Sequence, residues 1–276
     1  MRFNHFITLL TIKFSVIFFF VLQANSASTQ TREVDLELVL AADISGSMDQ
    51  KEATLQRDGF IKALRHPDVI STISRGRLGR IALTYIEWAG PRSQNTLVNW
   101  REIGSPQDAY NFADLINEAP TRTAKWTSIS SLMFYAAGRF VGNGYKARRR
   151  IIDISGDGPN NSGINVAEAR DITTGKRITI NGLPIVNERK GPWGDTPLKN
   201  LDLYYEDCVI GGQGAFVIVS NGFKDFARAI RRKMILEIAG RQPRPRGTQY
   251  ADAEGRLKFV TTRTRPPCGI GETQVK

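Results

Sequence analysis

Asp43, Ser45 and Ser47 stand two residues apart where the apolar run Leu38-Val39-Leu40-Ala41-Ala42 stops. A carboxylate and two hydroxyls offer oxygen alone, and an oxygen set without sulfur or imidazole suits a hard cation such as Mg2+ better than zinc or copper. Five apolar residues are too few for a helix and enough for a buried parallel strand, so the Asp43 carboxylate emerges where that strand ends. A second reading competes. Ser47-Met48-Asp49-Gln50 fits the S-x-x-Q capping box, in which Ser47 and Gln50 satisfy free amides at a helix start. Capping accounts for Ser47 but leaves Asp43 as a charge at the end of a buried strand, tolerable only with a cation or several donors. This stretch by itself leaves both readings open.

The elements around it decide whether further oxygens can join. Residues 34–42 form the first strand, and helical spacing runs over 50–65, with Ala53, Leu55, Phe60, Ile61 and Leu64 on its buried stripe, until His66-Pro67 ends it. Residues 80–88 read as a strand that meets the breaker Ala89-Gly90-Pro91, and 96–100 return beside it as a hairpin. After a helix over 106–118, Thr127 caps another whose apolar residues Ile129, Leu132, Met133, Ala136, Ala137, Phe140 and Val141 repeat in steps of three and four. The strand 151–155 breaks at Gly156-Asp157-Gly158-Pro159, again with an acid just past its end. A helix near 164–173, a strand over 177–185, a polar insertion over 186–200 and a last strand over 215–219 follow. The closing helix, 223–239, is stopped by Gly240.

Such alternation predicts an α/β fold: a doubly wound, mostly parallel six-stranded sheet with helices on both faces. If the strand ending in Asp43 points up, chain direction brings Thr127 and Asp157 to the top as well. Right-handed crossovers on either side of the first strand place all three at its switch point, where such sheets bind ligands. Asp153 lies inside its strand and reads as a hydrogen-bonded structural group. Arg148, Arg149 and Arg150 fall at the opposite end, as a solvated face.

Composition sets the class. With 41% hydrophobic and 24% charged residues in 276, the chain fits one globular domain with appendages. Residues 1–26 are the first of these: Arg2 and Lys13 precede the apolar run from Phe14 to Leu22, and Ala24-Asn25-Ser26 offer small residues for cleavage. That is the pattern of a secretory signal, with a mature chain from near Ala27 in the periplasm or outside the cell. The run is too short for a bilayer span, so no transmembrane segment is expected after cleavage. Loss of Arg2 and Lys13 takes the formal charge from +11 to +9. Residues 241–276 form a basic Pro/Arg-rich tail with eight Lys or Arg against three acids. Because the excess is local and no reading helix or aromatic-basic sheet motif occurs, no nucleic-acid partner is expected. Cys208 and Cys268 are the sole cysteines; in an oxidising compartment such a pair is more often bridged than free, and with His66 the one histidine left after loss of 1–26 a usual zinc site is excluded.

Taken together, Asp43-x-Ser45-x-Ser47, Thr127 heading a helix and Asp157-Gly158 after an apolar strand resemble the metal-ion-dependent adhesion site of von Willebrand factor A domains, over residues 34–239. Within that superfamily the phrases at 84–89, 155–161 and 209–212 are similar to a domain-of-unknown-function family of exported bacterial proteins. The resemblance implies a Rossmann-like von Willebrand A domain over 27–240. In it Ser45, Ser47 and Thr127 approach the metal with hydroxyls, while Asp43 and Asp157 hold it directly or through water. Two carboxylates cancel the charge of Mg2+, Mn2+ or Ca2+, and neutral hydroxyls leave the ion electrophilic. The resemblance then implies capture of a carboxylate from a protein ligand by a non-catalytic adhesion or scaffold domain.

Two alternatives stand beside it. Asp43 with residues 155–160 also resembles the acid pairs of aspartate-nucleophile phosphohydrolases, which use Mg2+. That mechanism wants a second acid where Ser45 stands, and His66 lies at the wrong end for a general base. A structural scaffold with a vestigial metal site is the other. The loops 89–94, 121–126 and 186–200, the last with Arg189, Lys190 and Trp193, lie at the metal end and are the expected specificity surface.

Overall fold

The computed structural model describes residues 31–192, 194, 196–243, 249–251, 257–259 and 263–273. The expected signal at 1–26, Trp193 and part of the tail lie outside them. In chain order the elements are β1 (Arg32–Glu33), β2 (Glu37–Asp43), α1 (Gln50–Leu64), α2 (Pro67–Ser74), β3 (Ile81–Trp88), β4 (Gln94–Ile103), α3 (Pro106–Glu118), α4 (Ile129–Arg139), β5 (Tyr145–Lys146) and β6 (Arg150–Gly156). Then come α5 (Val166–Thr174), β7 (Thr179–Val186), α6 (Leu201–Tyr204), β8 (Ser220–Asn221), α7 (Phe226–Ala239), β9 (Gln249–Ala251), β10 (Leu257–Phe259) and α8 (Ile270–Thr273).

Strand β2 is the axis of the fold. Leu38, Leu40 and Ala42 join a core with α1, α2, α3 and α7, while Val39 and Ala41 join a second core with α4 and α5. Because successive side chains point to opposite faces and both faces are covered, every position between the end residues Glu37 and Asp43 is apolar, and 38–42 read as an unbroken hydrophobic run. The six-stranded sheet has the order β4-β3-β2-β6-β7-β8. It is parallel except for the β3–β4 hairpin, the doubly wound α/β arrangement expected.

Local chemistry sets several boundaries. Ser105 and Asp108 close a capping box around Pro106, so α3 begins there, and Gly240, with φ 65°, closes α7 in the left-handed conformation. Elsewhere the chain departs from expectation. Pro67 ends α1 but also starts α2, because the His66 ring accepts from the Asp68 amide and proline suits a first helical position. Residues 215–219 are no regular strand: the Phe216 amide donates to the Asn181 side chain, pairing with β7 is confined to Gly182 and Val217, and the ladder resumes only at β8. Arg149 is not solvated either, since its guanidinium donates to the Glu237 and Ile238 carbonyls at the end of α7.

Cys208 and Cys268 form a disulfide across 60 residues of chain. A loop of that length is worth roughly 4 kcal/mol of denatured-state restriction. The bridge holds 263–273 against the domain, where Arg263 pairs with Asp202 and Arg265 with Asp207.

Candidate metal centre

Ala42 on β2 lies in register with Ser155 on β6, so the residues just past both strands meet at one rim of the sheet. Asp43 is fully buried there. Its Oδ1 accepts from the Ser45 amide at 2.7 Å, the Ser45 and Ser47 hydroxyls lie 3.0 Å apart, and Ser47 Oγ donates to Asp157 Oδ1 at 2.6 Å. Four of the expected residues are thus linked in one chain of hydrogen bonds. Thr127, the fifth, opens with Ser47 and Asp157 on the same cavity of about 530 Å3.

The Ser47 contact revises its reading as a cap. Its hydroxyl is committed across the rim to Asp157, and α1 is capped two residues later by Asp49, which forms a reciprocal box with Glu52. Thr127 is likewise no cap: Ser128 accepts from the Ser131 amide at the start of α4. Thr127 is held by Asn161 instead, whose side-chain oxygen accepts from the Thr127 amide at 2.7 Å and whose amide donates to the Thr127 carbonyl at 2.8 Å.

Burial, then the charge of Asp157, push the Asp43 carboxyl well above the usual carboxylate range, against the hydrogen bonds from Ser45. Asp157 is raised to about 6, chiefly by burial, with the Ser47 hydroxyl pulling the other way. Among the described residues Asp43 Oδ2 has no hydrogen-bond partner, nor has Tyr205 Oη. Both face Gly156, where a Cβ would lie 2.8 and 2.9 Å from them, so any side chain there would crowd the orphaned oxygen. Among the described residues no three His, Cys, Asp or Glu side chains gather as a ligand set. A cation at this rim would depend on two carboxylates completed by hydroxyls, a donor set that fits a hard divalent ion.

Several supporting residues carry no sequence expectation. Gln56 Nε2 donates to the Asp43 carbonyl at 2.6 Å, and its Oε1 accepts from Ser155 Oγ at 3.0 Å, bridging α1 to both strand ends. The available signal was its polarity on the buried stripe of α1, between Ala53 and Phe60. Asn160 binds the Ser130 amide and, through its Nδ2, Glu272 of the disulfide-held segment. Asn160 and Asn161 together brace the Asp157 loop against α4, a pairing of residues about 30 apart that no local pattern announces. Arg189, from the insertion, pairs with Asp49 at 3.1 Å and Glu52 at 2.5 Å and lines the cavity. Trp126 is 50% exposed beside it, with φ at 69°. Gly90 lies directly under this turn and would strike the Lys125 carbonyl if it carried a Cβ.

The family described as Protein of unknown function (DUF1194) matches residues 33–242. No curated protein matches. Proximal thread matrix protein 1 from the mussel byssus superposes with a TM-score of 0.55 at 14% identity, covering 75% of this chain and 49% of that one. The same mussel protein with zinc occupied MIDAS motif superposes at 0.51 and 15%, covering 75% and 49%. Von Willebrand factor type A from Catenulispora acidiphila gives 0.52 at 13%, over 75% and 43% of the two chains. The pilus adhesin SpaC from Lactobacillus rhamnosus GG gives 0.52 at 13%, over 75% and 30%. This chain therefore spans about half the length of these structures or less. At such identities the likeness establishes the fold, which is that of a von Willebrand factor A domain.

Proposed function

The chain belongs to the family described as Protein of unknown function (DUF1194), and we propose that it is a non-catalytic protein-binding domain that captures an acidic group of its partner through one divalent cation. The observation that carries this reading is Asp43. A carboxylate buried at the rim, with one oxygen lacking a donor among the described residues and a second carboxylate linked to it through Ser45 and Ser47, is costly until a cation completes it.

Asp43 and Asp157 would hold the ion directly or through water, with Ser45, Ser47 and Thr127 as neutral donors. All-oxygen ligation suits Mg2+, Mn2+ or Ca2+, and the zinc-occupied motif of the mussel protein supports a divalent ion at this end of the fold. A bound ion supplies an electrophilic position for an anionic oxygen. Lys125 and Arg189 line the same cavity and favour an acidic group, while Trp126, Pro159 and Leu198 offer apolar surface to the rest of an anchoring side chain. The signal pattern at 1–26 supports a periplasmic or extracellular setting, and among the described residues no helix is long and apolar enough to cross a membrane. Against the phosphohydrolase alternative, His66 contacts Arg231 Nη1 and does not line the cavity.

The test is thermal melting with Mg2+, Mn2+ or Ca2+ and with EDTA. A cation is expected to raise the melting temperature in the wild type and to leave Asp43→Ala unmoved. Equal melting temperatures with and without cations would refute the reading, and Mg2+-dependent phosphatase turnover lost in Asp43→Asn would replace it with the enzyme.

A further inference from the structure

The end of the sheet away from the candidate metal centre carries seven arginines, at 75, 77, 148, 149, 150, 177 and 241. Arg150 begins β6, whose far end leads to Asp157, so about 20 Å of strand separates the two ends. Two adjoining cavities of about 800 and 960 Å3 open there, with Arg148, Arg149, Leu236 and Arg241 on the walls of both. Arg75 and Arg77 extend the first, Arg150 and Arg177 the second.

The acids on these walls are already used. Both oxygens of Asp35 accept from the Leu78 amide, at 3.0 and 2.8 Å, and Glu237 is buried against Lys233 and Asn181. Three of the arginines serve the fold: Arg149 caps α7, Arg150 donates to the Lys176 carbonyl at 2.6 Å, and Arg75 donates to Ser71 Oγ. The other four, Arg77, Arg148, Arg177 and Arg241, are exposed and have no side-chain partner among the described residues. Arg177 also holds φ at 59°, a left-handed conformation that glycine or asparagine adopts at lower cost. Seven arginines against two acids leave a net positive charge, and the planar forks of guanidinium groups match phosphate oxygens.

We propose that this end face binds the phosphate headgroups of an anionic lipid surface. The unpartnered guanidiniums run from Arg77, after α2, to Arg177, after α5, across both cavities. One small anion could engage only part of that span, whereas a layer of phosphates engages all of it. Docked this way, the Asp43 rim faces away from the bilayer.

Cosedimentation of the full chain with phosphatidylglycerol vesicles tests this, with neutral phosphatidylcholine vesicles as the baseline for insertion of apolar residues 14–22. Preference for the anionic vesicles is expected, weakened by salt and indifferent to EDTA, which separates it from any failure of the metal reading. Arg148→Ala with Arg177→Asn is expected to lower partition to anionic vesicles roughly 30-fold; asparagine keeps the left-handed backbone. Arg77→Ala with Arg241→Ala provides a second, independent pair, and Arg92→Ala, at the opposite rim, should change nothing. Equal binding to both vesicle types, or wild-type partition in folded forms of both pairs, overturns the proposal. Arg148-dependent binding of inorganic pyrophosphate without a preference for anionic vesicles overturns the lipid source.

Discussion

Strand β6 brings two buried carboxylates into place four residues apart, Asp153 in its middle and Asp157 just past its end, and the protein treats them differently. To Asp153 it brings its own cation: Lys233 Nζ from α7 lies 2.6 Å from Asp153 Oδ1 and 2.6 Å from Glu237 Oε1, with Asn181 donating to the same Glu237 oxygen at 2.8 Å. To Asp157 it brings hydroxyls and a second carboxylate, and among the described residues Asp43 Oδ2 has no donor. Burial raises Asp153 to about 8 and Asp157 to about 6, Glu237 adding to the first and Glu52 to the second. Lys233 thus stands opposite both acids in the middle of the sheet, although Asp153 Oδ2 and Glu237 Oε2 have no hydrogen-bond partner among the described residues. Among the described residues no lysine or arginine pairs with Asp43 or Asp157, and the difference separates a carboxylate that an internal cation ties to a helix from one that has no such cation.

Removing the internal cation gives the largest effect. Lys233→Met leaves two acids buried with nothing opposite them and is expected to cost about 3–5 kcal/mol in urea unfolding. A loss below about 1 kcal/mol would mean that the middle network is no more closed than the rim. The same measurement on Asp157→Asn, in EDTA, should show no loss or a gain of about 1 kcal/mol, because a like charge beside Asp43 is removed. With cations present that variant should lack the wild-type rise in stability. If it destabilises the EDTA-treated protein as much as Lys233→Met does, the rim is structural and the contrast fails.

A pH series probes both sites at once. Each acid has a folded pKa above its unfolded value near 3.8, so each contributes stability that is fully present below about pH 4 and is lost as pH rises through the folded pKa. In EDTA, stability should fall toward pH 6 as Asp157 ionises, and fall again toward pH 8 as the Asp153 network loses its proton. Because a cation needs the ionised form, metal affinity should rise over the first window and be indifferent to the second. Calorimetric titration with Mg2+ at pH 5 and pH 7 checks this; equal affinities would contradict it. The smallest effect separates capping from rim chemistry: Asp49→Ala should cost about 1 kcal/mol of stability, and Ser47→Ala less than half of that, while only Ser47→Ala weakens the cation response.

How far the chain could be read in advance follows from how local each cause is. Helix α3 has its expected bounds because Ser105, Pro106 and Asp108 sit within four residues of one another and specify its start without outside help. The cap of α1 was displaced by two residues because Ser47-x-x-Gln50 and Asp49-x-x-Glu52 are overlapping boxes of similar quality. What decides between them is the pull of Asp157 on the Ser47 hydroxyl from 110 residues away. Residues 215–219 look like a strand for the same reason that β7 does, yet a single side chain, Asn181, takes the amide that would have started the ladder. Lys233 sits on a helix face otherwise filled by Phe226, Ile230 and Met234, and its acids lie on β6 and one turn further along α7. The expectation that Asp153 serves the structure follows from its place inside a strand, but its partner does not.

Sequence by itself determined where the chain is buried: the spacing of apolar residues by two or by three and four, with proline and glycine as punctuation, dictates strands, helices and their alternation. Alternation with right-handed crossovers then suffices to bring residues 43, 127 and 157 to one end of a parallel sheet. Only the tertiary structure decided which oxygen meets which donor. Burial is a property of one segment against water, whereas a hydrogen bond or ion pair forms or fails over a few tenths of an ångström between groups that the chain order leaves a hundred residues apart.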